Sequence, residues 1–177
     1  MKSAIRALVF ALLLPAAAIC QMPAATQPGP QHRQLQALAG NWDVAIRFRA
    51  GNGPERQASA KCSAEWILDG HYLKQEYKND SGLAVLQILG YDNQRKKFFE
   101  VKFDNQETGV LRTEGSASAD GKVITNIGDR TDPMTGKVNR LRTVTTLSDS
   151  DHFTVEWLLT MDDGSEQKTV TMVHTRK

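Results

Sequence analysis

Few side chains in this sequence could do chemistry. They are Cys62, four histidines, two pairs of neighbouring acids and a handful of arginines. Nucleophilic catalysis would need Cys62 or a serine beside a base. A tight turn at Asp69-Gly70 sets Cys62 opposite Tyr77 rather than His71, and no Gly-x-Ser-x-Gly elbow occurs, so Cys62 reads as a small buried thiol. Asp149/Asp151 and Asp162/Asp163 lack the loop spacing and terminal Glu of a calcium site and read as turn formers. The segment from Thr131 through Asp132-Pro133-Met134-Thr135-Gly136-Lys137 ends like a phosphate loop. It lacks the upstream glycine and the following Ser/Thr, and it reads as a Pro-started turn. With no acid/base pair or metal constellation, an enzyme ranks third among the readings, and no cofactor is called for.

Arg140, Arg142 and His174 are more informative because strand register decides where they point. Arg140 and Arg142 alternate with Val138 and Val144, while Leu141, Thr143, Thr145 and Leu147 take the other face. An even-numbered turn after Leu147 puts Arg142 opposite Trp157 and inward. A lumen arginine would call for an anion such as a fatty-acid carboxylate, since an unpaired buried charge costs several kcal/mol. An odd turn leaves both arginines in water and buries leucine and threonine instead. A two-residue turn at Asp163-Gly164 pairs Trp157 with Val170, Val155 with Met172 and Phe153 with His174, which turns His174 toward an apolar wall.

The elements that must position these residues are strands. Trp42, Val44, Ile46 and Phe48 alternate with Asp43, Ala45, Arg47 and Arg49, the period of a half-buried strand. Similar runs are predicted around residues 56 to 68, 71 to 78, 83 to 91, 96 to 104, 109 to 115, 122 to 128, 138 to 147, 152 to 160 and 166 to 176, separated by Gly, Asn, Asp and Pro turn chemistry. At Asp69-Gly70 the same hairpin logic faces Trp66 with Leu73 and Ala64 with Gln75, and pairs Glu65 with Lys74 on the solvated side. Consecutive hairpins without crossovers form a meander, and joining first to last strand removes both edges. The expected fold is therefore an all-β, antiparallel up-and-down barrel of about ten strands. Pro30, Leu35, Leu38 and Gly40 predict a short N-terminal helix over one end.

Upstream, Lys2 and Arg6 precede an apolar run from Ala7 to Leu14 and then Pro15 and small residues, the pattern of a signal peptide over residues 1–20. That run is too short to cross a bilayer, and no transmembrane segment follows. Ile19 before Cys20 is a poor lipid-attachment box, so ordinary cleavage between Ala18 and Ala25 fits better than a lipoprotein anchor, and either route predicts a periplasmic or secreted protein. Residues 21–31, with three prolines, one glycine and no charge, have the composition of a disordered linker, which leaves residues 32–177 as the barrel domain. Loss of the signal leaves 20 basic and 20 acidic residues. A neutral domain with interspersed charges excludes a nucleic-acid footprint. Cys62 is then the one remaining thiol, so a packed core must supply stability in place of a disulfide.

Gly40-Asn41-Trp42 resembles the Gly-x-Trp entry of calycin (lipocalin-like) barrels, and the resemblance implies a late-strand arginine over the tryptophan, here Arg176. More specifically, Leu-Ala-Gly-x-Trp-Asp-Val, Trp-Ile-Leu-Asp-Gly-x-Tyr-Leu, Leu-Gly-Tyr-Asp, Thr-Asp-Pro-Met-Thr-Gly-Lys and the closing Thr-Arg-Lys resemble the bacterial domain of unknown function 1579 family. That resemblance implies a calycin-like barrel and carries no catalytic residues. Nitrobindin-type calycin barrels hold haem through a histidine near the C-terminus, which invites a comparison with His174, although the surrounding residues do not otherwise resemble theirs.

The leading functional reading is a barrel that binds a small apolar or amphipathic ligand. Its candidate residues are Trp42, Phe48, Trp66, Tyr77, Arg142, Trp157, Met172 and His174. The alternative from a different class is a ligand-free barrel acting as an envelope interaction or structural module. Oligomeric state and ligand identity are left open at this level.

Overall fold

The computed structural model describes residues 26–49, 53–132 and 135–177. The expected signal peptide, with Cys20, lies outside the described residues, as do Pro133 and Met134 of the long turn.

Ten antiparallel strands close into one barrel in which each strand pairs with its sequence neighbours and the last returns to the first. They are β1 (Gly40–Phe48), β2 (Arg56–Ile67), β3 (Tyr72–Lys78), β4 (Ala84–Asp92), β5 (Lys97–Asp104), β6 (Leu111–Ala117), β7 (Val123–Thr131), β8 (Val138–Leu147), β9 (His152–Thr160) and β10 (Glu166–Arg176). The closing pair runs from Trp42 opposite Arg176 to Phe48 opposite Val170, so neither edge is left unpaired. The meander and its closure are those expected from the alternating pattern.

Both testable hairpins have the expected register, for reasons that differ in detail. Trp66 pairs with Leu73 and Cys62 with Tyr77. The turn is the expected two-residue one: Asp69 and Gly70 both take positive φ, and the His71 amide donates to the Leu68 carbonyl at 3.2 Å. In the β9–β10 hairpin, Trp157 pairs with Val170, Val155 with Met172 and Phe153 with His174. Here the turn holds one residue more than expected, closed by Met161 and Ser165, and a bulge between Lys168 and Val170 restores the register. The turn after Leu147 is the odd-numbered one, because Leu147 pairs with Phe153 and Thr143 with Trp157.

One barrel end is plugged. A five-residue helix α1 (Pro30–Gln34) with Pro at its start runs into a 3-10 turn, Leu35–Leu38, whose two leucines are 1% exposed. Burial of each leucine stabilises the fold by about 2 kcal/mol. The Trp42 indole N–H donates to the Leu38 carbonyl at 3.0 Å, and the Trp66 indole N–H donates to Gln36 Oε1 at 2.6 Å. Arg176 locks this end. Its guanidinium lies 4.1 Å from the Trp42 ring centre and donates to the carbonyls of Ala39 at 2.9 Å and Ser150 at 2.9 Å. Gly40 is required here: its φ is +121°, and a Cβ would sit 2.5 Å from Arg176 Nη1.

The linker composition assigned to residues 21–31 extends into chain that is held in place. The Thr26 carbonyl lies 3.0 Å from His71 Nε2, Asn93 Nδ2 donates to the Gln27 carbonyl at 2.7 Å, and the helix starts at Pro30. Turn-level polarity resembles spacer polarity, and composition alone does not separate them.

Candidate functional site

Side chains that alternate inward from the ten strands stack in levels between the plugged end and an open mouth. At the plugged end Trp42 packs edge-on against Phe153, ring centres 4.7 Å apart, with Trp66 and Phe98 nearby in the same core. In the middle, the His174 ring stacks on Phe153 at 3.9 Å and 13°, and the Tyr77 hydroxyl lies 3.2 Å from both His174 Nε2 and Gln75 Oε1. Burial pulls the His174 imidazole down to about 4, so it is neutral at pH 7, and burial pushes the Cys62 thiol up to about 12, which removes it as a nucleophile. Met172 lies on the same wall, partly buried.

The mouth differs. A cavity of about 490 Å³ opens there, with apolar lining from Phe48, Trp157, Leu159, Met161 and Val170. Arg49, Arg130 and Lys137 add positive charge at its rim, and Asp132 and Asp162 add acids. Arg130 comes from the inward face of β7 and makes a long ion pair with Glu107, at 3.9 Å. A second recess of about 160 Å³ adjoins on the β5–β7 side and shares Arg130, with Lys102 and Asp104 in its lining. Lys102 donates to Asp104 at 2.5 Å, and its ammonium lies 5.5 Å from the Trp157 ring centre on the far wall of the lumen. This ion pair lines the smaller recess. Burial alone would raise the Asp104 pKa, but the Lys102 hydrogen bond and charge, with amide N–H donors from Gln106 and Glu107, hold it below its ordinary value.

The structure therefore separates the residues singled out from sequence. Phe48 and Trp157 meet at the mouth, Tyr77, His174 and Met172 lie deeper, and Trp42 and Trp66 serve the plug. Arg142 does not reach the lumen. The odd turn places it on the outer wall, where its guanidinium donates to both oxygens of Glu166. The inward mouth cation is Arg130 instead. Arg140 is also outside, 3.7 Å from Asp129.

Below the mouth the lumen is unexpectedly polar. Glu100 is 5% exposed, faces inward from β5 between Phe98 and Lys102, and pairs across the ladder with Thr113. Burial raises its pKa to about 7, with the charge of Lys102 opposing. Gln75, Thr113, Asn126 and Thr143 are buried inward as well. Sequence reasoning placed Gln75 and Thr143 on inward faces but missed Glu100, because Phe99, Val101 and Phe103 occupy the alternate positions of β5 and look like the core-facing set. In the structure they face outward, and Phe103 is 41% exposed beside Leu86 at 38%.

Among the described residues no group of three or more His, Cys, Asp or Glu side chains is placed to hold a metal ion. Asp149 and Asp163 accept hydrogen bonds from their own turns, from the amides of Asp151 and Ser165. Haem fits His174 poorly, since one ring face is covered by Phe153, Nε2 meets Tyr77, and neither mouth cavity is lined by it.

Comparison with known proteins adds a family and a fold. The family described as "Protein of unknown function (DUF1579)" matches residues 27–176. Rv2717c from M. tuberculosis is similar in structure with a TM-score of 0.62 at 16% identity, covering 85% of this chain and 99% of that one. A redesigned β barrel aligns at a TM-score of 0.36 and 14% identity, covering 82% and 96%. No curated protein matches the chain.

Proposed function

Because the chain belongs to the DUF1579 family, whose description names no activity, we propose its function from the barrel's own geometry: binding of a small amphipathic anion at the mouth. The observation that carries this reading is the cavity of about 490 Å³, a size typical of small-molecule sites, with an apolar wall of Phe48, Trp157, Leu159 and Val170 beside Arg130. An alkyl chain packed on that wall gains about 0.8 kcal/mol per buried CH₂. A carboxylate at Arg130 replaces the long contact with Glu107 by a direct charge-assisted hydrogen bond. Fold alone would not justify this assignment, since small barrels serve many functions. The N-terminal pattern of Lys2, Arg6 and the apolar run to Leu14 supports placing this binding outside the cytoplasm.

The test is titration with dodecanoate, read by tryptophan fluorescence. Saturable binding that weakens about tenfold in Arg130→Gln is the expected result, the factor being the usual worth of one charge-assisted hydrogen bond. Absence of binding by the wild-type protein would refute the proposal.

A second reading has its own support. Leu86 and Phe103 pair on the outer wall, followed by Ile88 with Val101 and then Phe99, which makes an apolar stripe on β4 and β5. Such a stripe suits a protein partner. It predicts that Phe103→Lys alters association while leaving dodecanoate binding intact.

A further inference from the structure

The polar level beneath the mouth has its own hydrogen-bond imbalance. Gln75 Nε2, Thr113 Oγ1 and Asn126 Oδ1 are buried without a partner, in residues exposed by 2%, 1% and 5%. Glu100, 5% exposed, makes no hydrogen bond or ion pair with any described residue. Buried polar atoms ordinarily find partners, so four such side chains on the inner wall mark a place where something else is accommodated.

These groups are contiguous in the barrel wall. Glu100 and Thr113 are direct cross-strand partners, Asn126 is diagonal to Thr113 across the β6–β7 ladder, and Gln75 faces the lumen from β3 on the ladder that runs through Gln87 to Lys102. Their unmet capacity includes acceptors from Glu100, Asn126 and Thr113 and donors from the Gln75 and Asn126 amides and the Thr113 hydroxyl. Charge is the lopsided quantity. Lys102, one inward position above Glu100, is already engaged by Asp104, and His174 is neutral. An ionised Glu100 therefore leaves this part of the lumen one negative charge in excess.

We propose that Glu100, Thr113 and Asn126 form a second, deeper subsite that takes the ammonium group of a small primary amine. The ammonium donates to the Glu100 carboxylate, to Asn126 Oδ1 and to the Thr113 hydroxyl, and so matches the charge of the site and gives each of the three groups a donor. The subsite lies about 13 Å along β5 from the level of Asp104, the reach of four strand residues. It is independent of the mouth reading, because it uses none of Phe48, Arg130 or Trp157.

The test uses butylammonium, with butyrate and butanol as controls, on protein carrying ¹³C-labelled glutamate side chains at pH 8. The expected result is a saturable shift of the Glu100 carboxyl resonance with butylammonium and none with butyrate. Glu100→Gln weakens butylammonium binding at least about tenfold, and Thr113→Val, which keeps the shape and the charge, weakens it by about threefold to tenfold. Arg130→Gln leaves it unchanged, whereas dodecanoate binding persists in Glu100→Gln, so the two sites fail separately. No saturable shift in the wild type, or equal affinity in Glu100→Gln, overturns the proposal and assigns the unpaired atoms to water.

Discussion

Replacing Glu100 by Gln should stabilise this protein at pH 8 and do almost nothing at pH 4. The Glu100 carboxyl has its pKa raised from 4.5 to about 7, first by burial, with Lys102 opposing. The folded protein thus keeps the Glu100 proton to a higher pH than the unfolded chain does. Below pH 4.5 both states are protonated and the full stability is present. Between 4.5 and 7 the unfolded chain releases its proton first and stability is lost, and above 7 the loss is complete. The gap, at about 1.4 kcal/mol for each pH step of one, amounts to about 3 kcal/mol. Gln has the same shape and no charge to desolvate, so the variant escapes this loss. Urea unfolding of both proteins at half-unit intervals from pH 4 to 8 reads the difference directly. His174 makes the comparison more informative, because its pKa falls from 6.5 to about 4, chiefly through burial. Its contribution is full above pH 6.5 and is lost as pH falls toward 4, opposite in sign to that of Glu100. The two nearly cancel between pH 4.5 and 6.5 in the wild type, and Glu100→Gln uncovers the His174 slope. A stability difference that stays flat from pH 4 to 8 would refute the burial of an ionisable Glu100.

Further predictions concern the plug, the wall, the outer face and the export signal. Arg176→Met should lower stability by about 3 kcal/mol in urea unfolding, because it removes a cation over Trp42 and hydrogen bonds to the Ala39 and Ser150 carbonyls; Arg176→Lys, which keeps the charge alone, should lose roughly half of that. Gly115→Ala should destabilise by about 3 kcal/mol or more, measured by thermal unfolding, since its Cβ would meet the Thr125 carbonyl oxygen at 1.8 Å. Arg142→Ala should leave dodecanoate affinity unchanged in the fluorescence titration, because that guanidinium is held by Glu166 outside the barrel. Protein recovered from the periplasm or medium should begin between Ala18 and Ala25 by mass spectrometry.

Legibility in the sequence follows the chemistry of the lumen. Strands β1, β2, β9 and β10 present Trp42, Val44, Cys62, Phe153, Val155 and His174 inward against charged or small residues outward, so the period of two gave the inner face and the register. The β9–β10 register was found with too short a turn, because the extra turn residue and the bulge at Thr169 compensate each other. Arg142 was left to the parity of one loop, and a loop of Ser, Asp and His does not declare its length. Arg130 and Glu100 were invisible for a stronger reason. On β5 and β7 both faces carry apolar side chains, Phe98 against Phe99 and Ile124 against Ile127, and the rule that apolar faces point inward then has no solution.

That failure of the rule also bears on the two proposed sites. A barrel selected only to fold would place Phe99, Val101 and Phe103 in the lumen and leave Glu100, Lys102 and Asp104 in water, a one-residue change of register that recovers burial energy. The observed register does the reverse on β4 and β5. It desolvates a carboxylate and an ion pair and leaves Leu86 and Phe103 partly exposed. Both departures are on the same strands, so they have one origin: the inner surface of β5 to β7 is committed to polar groups, and its apolar residues have only the outer wall left. The plugged half, built by Trp42, Phe153, Leu35, Leu38 and Arg176, supplies the stability that tolerates this arrangement. Substitutions at the plug should therefore change how firmly the protein folds, whereas substitutions along the inward ladder of Glu100, Lys102 and Asp104 should change what the lumen accepts.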